Sequence, residues 1–271
     1  MYNLIRYHIT IGFSLARLSL KRQLEWLLTF ISYLIALPIR CATGLVIIYI
    51  LTTKFSPLYG WSYGQLVFLY GLAYISDGLS STFASQARRM ETLIIRGDLD
   101  RFLVRPISVL FQFLFRSIYW AGIIEVISGI IVLVYGCQQV GFVISFFNIF
   151  KIVVVIIGAT FIRISFLIIV GSIAFWTKRS QTLLWVGDEI VRKTTQYPIT
   201  IYPGILQALF TFILPFGFIS FYPSSEFFSF NNLFNLPLNF ALWTPLVGTI
   251  LLVIANRVFE YGLKIYESAG A

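Results

Sequence analysis

Six stretches of the chain stay predominantly apolar for roughly 20 residues or more, at residues 26–51, 62–84, 107–135, 146–176, 203–222 and 238–256. A hydrocarbon core of about 30 Å takes roughly 20 residues of α-helix at 1.5 Å each. The apolar positions are continuous rather than alternating, which specifies spanning helices and not the strands of a barrel. The expectation is an all-α polytopic membrane protein whose residues 1–271 form a single six-span domain. Residues 1–25 read differently. Leu4, Ile11, Leu15 and Leu18 fall on one helical stripe and Arg6, Thr10, Ser14, Arg17 and Lys21 on the opposite one, the pattern of a helix lying in the membrane interface.

Between the second and third runs lies residues 86–106, QARRMETLIIRGDLDRFLVRP, with Arg88, Arg89, Arg96, Arg101 and Arg105. Gly97 fits a helix C-terminus, Asp98 fits the cap of a following helix, and Pro106 opens the third span. In that second short helix Asp98, Arg101 and Arg105 share one face and Leu99, Phe102 and Leu103 another. The result is a compact charged knob, suited to gripping a soluble partner or to lying flat on lipid. After the fourth run, residues 176–203 carry Lys178, Arg179, Arg192 and Lys193, with Trp176 and Trp185 as interfacial anchors, and read as a second loop on the same side. Pro38 and Pro215, inside the first and fifth runs, predict kinks. Residues 224–240 are too aromatic for a free loop and too polar to span, so they read as an interfacial or re-entrant segment.

Composition sharpens the class. Hydrophobic residues make up 58% of the 271 and charged ones 11%, with a mean hydropathy of +0.86. The net charge of +9 does not point to nucleic acid, because the basic residues follow the topology. They cluster before the first span and after the second, fourth and sixth, which by the positive-inside rule makes both termini cytoplasmic. The first 25 residues are too charged for a cleaved signal peptide. Cys41 and Cys137, far apart in sequence and depth, make a disulfide improbable, and a single histidine, His8, leaves no metal-ligand pattern.

Arg40, Asp77, Glu125 and Arg163 are ionisable residues that fall within the apolar runs. A charge at that depth must face protein or water, so each is a candidate site residue, either as a buried pair that fixes packing or as a substrate contact. Counted from the cytoplasmic ends, Arg40, Glu125 and Arg163 come near mid-membrane and Asp77 nearer the cytoplasm. No lysine follows a glycine, so there is no phosphate-binding P-loop, and there is no GxSxG, HExxH or His/Cys nucleophile pair. Catalysis by this chain alone is not expected.

Three segments carry a family resemblance: the loop IRGDLDRFLVRPIS, the run YPITIYPGILQALFTFILPFGFISFYPS and the terminal RVFEYGLKIYESAG. The chain resembles the permease subunits of ABC-type exporters of the second membrane family, which export drugs, antibiotics and polysaccharides, and within it the bacterial six-span permeases of this length. The resemblance implies a permease in the bacterial cell membrane that pairs with a second permease subunit, the same or different. It implies a separate ABC ATP-binding subunit on each, with ATP and Mg held there and no cofactor in this chain. It also places ATPase coupling on Arg96, Asp98, Leu99, Asp100, Arg101, Phe102 and Arg105, and alternating access as the mechanism. Two rivals remain. A secondary transporter would titrate Asp77 or Glu125 but would need an internal inverted repeat, which is not evident. A lipid-processing membrane enzyme would need clustered His, Asp or Glu.

Overall fold

The computed structural model describes residues 20–21, 23, 25–54, 60–104, 108–115, 118–228 and 240–267. Nearly all of the interfacial stretch 4–22, together with Arg105, Pro106 and residues 229–239, lies outside them. The described residues are mostly helical and form no strand, as an all-α membrane protein requires. The long helices are α1 (Leu27–Lys54) and α2 (Tyr63–Ala84), followed after short elements by α6 (Ala121–Gln139), α7 (Phe146–Ser172) and α12 (Phe240–Ile265). The short ones are α3 (Met90–Ile95), α4 (Asp100–Leu103), α5 (Val109–Phe115), α8 (Ala174–Thr177), α9 (Gln181–Thr195), α10 (Gly204–Ala208) and α11 (Phe221–Phe227).

Among the described residues, four helices are long and apolar enough to cross a membrane: Leu27–Lys54, Ala121–Gln139, Phe146–Thr177 and Trp243–Ile265. α2 is as long but more polar, because glycines, serines and Asp77 interrupt its apolar residues, and its neighbours bury almost all of it. α1 buries only Cys41, Ile48 and Thr52 and leaves Leu28, Ile31, Ile35 and Ile39 exposed, which is the apolar surface lipid would cover.

The tightest packing is between α2 and α6, which run antiparallel along their whole length. Gly64, Gly71 and Gly78 on one and Gly122, Gly129 and Gly136 on the other recur every seven residues, two helical turns, and form facing smooth stripes. A Cβ on Gly71 would stand 2.8 Å from the Leu133 backbone, and one on Gly136 would stand 2.7 Å from the Phe68 backbone nitrogen. α7 and α12 repeat the device with Gly158 against Pro245 and Gly248 against Gly158. The seven-residue glycine period is itself visible in the sequence.

Three expected elements differ. The third span, 107–135, is two helices, because the Tyr119 N–H bonds across to the Thr82 carbonyl of α2 instead of continuing the helix. The fifth, 203–222, is no single helix. α10 runs into a π turn at Leu209–Ile213, the chain folds back through Pro215 into a 3-10 turn at Phe216–Phe218, and α11 follows. The Phe210 and Phe216 rings stack at 6.0 Å, and the Tyr222 hydroxyl meets Thr211 at 2.7 Å, closing this hairpin on itself. Pro215 thus marks a break rather than a kink.

The largest difference is residues 176–203, expected as a loop. Gln181–Thr195 is instead an amphipathic helix, α9, that buries Leu184, Val191, Thr194 and Thr195 against α7 and α2. It starts beside α3 and ends in the bundle interior, where the Thr195 carbonyl accepts from Ser220 Oγ at 2.6 Å. Its mixed composition hid it from a search for apolar runs, although positions 184, 187, 188, 191 and 195 carry the helical period.

Candidate functional site

Residues 85–104 form an elbow at the end of the bundle where α2 finishes. α3 stops in a Schellman motif: the Asp98 N–H bonds the Leu93 carbonyl at 3.0 Å and the Gly97 N–H bonds Ile94, with Gly97 at φ 70°. Gly97 therefore ends the helix as its sequence implies. Asp98 does not cap the next one. α4 starts at Asp100 without a side-chain cap, and the Asp98 carboxylate pairs with Arg101 at 3.3 Å.

The apolar face of α4 turns inward. Leu99 and Phe102 are buried in a cluster with Met90, Ile94, Phe113 and Phe175, and the Phe102 carbonyl accepts from Gln112 of α5. Leu99 and Phe102 thus anchor the elbow to its own bundle and cannot also present themselves to a partner. Asp100 sits beside the Tyr266 hydroxyl at the C-terminal end. What faces outward is Ile95, Arg96, Arg101, Leu103 and Val104.

Two contacts tie the elbow to α9. The Glu91 carboxylate accepts from the Ser180 and Gln181 backbone N–H groups at 2.5 and 2.6 Å, serving as the N-cap that Ser180 does not supply. Those bonds, Gln181 first and then Ser180, hold the Glu91 carboxyl below its ordinary value near 4.5. The contact is therefore complete at neutral pH and is lost as pH falls from the ordinary carboxylate range through the depressed value. Hydrogen exchange at residues 180–184, corrected for intrinsic pH dependence, is expected to accelerate in that acid window, and Glu91→Gln to remove the pH dependence. The second contact is Arg88, which donates to Asp188 of α9 through Nε and Nη2 at 3.1 and 3.0 Å.

From Asp188 the charges continue inward. Arg192 lies 3.6 Å from Asp188 and 3.1 Å from Asp77 of α2. Arg163 of α7, fully buried, donates to Asp77 Oδ1 at 3.2 Å, Ser76 Oγ at 3.1 Å and Thr195 Oγ1 at 2.6 Å. Arg40 of α1 pairs with Glu125 of α6, lies 3.9 Å from Asp77 and sits over the Tyr74 ring. All four intramembrane candidates, Arg40, Asp77, Glu125 and Arg163, thus belong to one network. Sequence reasoning missed three members, Arg88, Asp188 and Arg192, because it placed all three in loops outside the spans. Asp77 is the hub, and its three guanidinium partners supply the compensation that a buried carboxylate needs.

Beside this network, a cavity of about 810 Å³ opens between α1, α9 and the residues around Tyr119. One face of α1 lines it from Thr29 through Tyr33 and Leu37 to Arg40, about 16 Å along the axis, with Trp26 just before the helix extending it. Arg88, Arg89, Arg192 and Glu125 also reach it.

The family described as ABC-2 family transporter protein matches residues 38–270. No curated protein and no solved structure matches. The match takes in the bundle from Pro38 onward, with the elbow, the ionic network and every long helix after α1. On that evidence the chain belongs to the ABC-2 transporter family and is an integral membrane permease of the ABC type.

Proposed function

We propose that this chain is the permease of an ATP-driven exporter and that the elbow is where a separate ATP-binding subunit takes hold. The observation that carries this reading is the elbow's construction. Its outer surface is basic and apolar, with Arg96, Arg101, Leu103 and Val104, while Leu99 and Phe102 root it in the bundle. A force on it is passed to α9 through Glu91 and Arg88, and from α9 to Asp77 at the centre of the helices. A bacterial cell-membrane setting, with the elbow and both termini on the cytoplasmic side, agrees with the positive-inside distribution.

ATP and Mg then belong to the partner, and the permease contributes the path and the lever. Two permease subunits, each with its ATPase, would alternate between inward and outward access. Proton coupling through Asp77 is the poorer reading, because that carboxylate is committed to arginine partners.

Copurification with the ATP-binding subunit tests the reading. Arg101→Glu reverses an exposed charge in the docking surface and is expected to weaken binding by about 2 kcal/mol or more, with normal insertion. Phe102→Ala acts by another route. Its ring fills the core, so truncation is expected to lower permease stability by about 3 kcal/mol or more. Undiminished ATPase binding by Arg101→Glu and by an Arg96→Glu variant would refute docking at the elbow.

A further inference from the structure

We propose that the cavity between α1 and α9 binds the head of an anionic amphiphile, a phosphate or carboxylate group carrying an apolar chain. The inference deepens the exporter reading by naming a cargo class. Charge comes first. Around the cavity and the network behind it, five guanidiniums (Arg40, Arg88, Arg89, Arg163, Arg192) face three carboxylates (Asp77, Glu125, Asp188), an excess of two positive charges. Such an excess in a low-dielectric setting attracts an anion, and guanidiniums match the oxygens of a phosphate or carboxylate.

Unmet hydrogen bonds come second. Arg40 Nε and Glu125 Oε2 are buried at the inner end of the cavity without a protein partner. A buried donor and a buried acceptor left open side by side call for a ligand that offers both, an anionic oxygen and a hydroxyl or water. The walls come third. Trp26 just before α1, Phe30 and Tyr33 from α1 and Trp185 from α9 give the outer part of the cavity an aromatic lining suited to an acyl or aryl chain. Trp26 and Trp185 are 73% and 70% exposed, so these indoles are free to receive it.

The test uses the purified chain in neutral detergent micelles and reads tryptophan fluorescence during titration with three probes. Decyl phosphate is expected to give a saturable change. Decyltrimethylammonium, which partitions into the same micelles with opposite charge, and inorganic phosphate, which has the head alone, are expected to bind at least about tenfold more weakly. Arg89→Gln, at an exposed position, and Arg192→Gln are each expected to weaken decyl phosphate binding several-fold. Should Arg192→Gln fail to fold, Arg89→Gln decides. Equal binding of the cationic probe, equal binding of inorganic phosphate, or wild-type affinity in the folded variants would overturn the proposal. Displacement of decyl phosphate by phosphatidylglycerol identifies a lipid headgroup as occupant, and its absence a soluble amphiphile; both keep the site. No ATPase enters this measurement, so its failure is separable from failure of docking at the elbow.

Discussion

Asp77→Asn is expected to be the most damaging single substitution in the bundle, lowering stability by about 3 to 5 kcal/mol. The exchange is nearly isosteric, so the loss comes from charge. Arg163, with its side chain 3% exposed, and Arg192 would each lose the carboxylate now 3.2 and 3.1 Å away. Breaking a buried pair from one side leaves an ion that water cannot reach, and here Arg163 is left with no carboxylate while Arg192 keeps only Asp188. Arg163→Met is expected to cost less, because Asp77 keeps Arg192 and Arg40. This ordering runs opposite to a judgement from side-chain size alone. The midpoint of SDS-induced unfolding, measured for both variants in the same mixed micelles, checks it. Equal midpoints for Asp77→Asn and wild type would mean that Asp77 is not the hub.

Gly78→Leu is expected to rank second, at about 3 kcal/mol or more, through overpacking. A Cβ there would meet the Val126 nitrogen at 2.7 Å and the Gly122 carbonyl at 2.8 Å, and neither backbone atom can swing aside as a flexible side chain could. α2 and α6 must therefore separate. Gly78 adjoins Asp77, and Val126 adjoins Glu125, so separation also pulls apart the two carboxylates that Arg40 bridges. The consequence is a linked loss: reduced unfolding stability together with an Arg40–Glu125 pair that no longer contributes in a double-mutant cycle. Gly204→Ala is the control, since a Cβ at Gly204 meets nothing within 4 Å, and it is expected to change stability by no more than about 0.5 kcal/mol.

Much of the class was legible along the chain. Apolar runs of spanning length announce membrane helices, because the bilayer imposes a length and forbids unpaired backbone, and both constraints act locally. Gly97 foretold the end of α3, because a left-handed turn strongly favours glycine. The same local reasoning failed at Asp98, where an acid beside a helix start can cap it or pair with Arg101, and sequence does not decide between them. It failed more broadly at Phe102. A short amphipathic helix shows that two faces differ but not which one meets its own bundle, and only packing on Met90 and Phe113 turned Phe102 inward.

Sequence by itself determined that Arg40, Asp77, Glu125 and Arg163 had to find partners, since a charge at their depth is too costly to leave alone. It did not determine which partners. That depended on long-range geometry: glycine stripes that bring α2 within backbone contact of α6, and a mixed-polarity helix, α9, that leaves the loop region and carries Arg192 to Asp77. Depth is a property of position along one helix and can be counted from its ends. Pairing is a property of how several helices cross, and it was decided only when the tertiary structure drew five helices, α1, α2, α6, α7 and α9, around a single carboxylate.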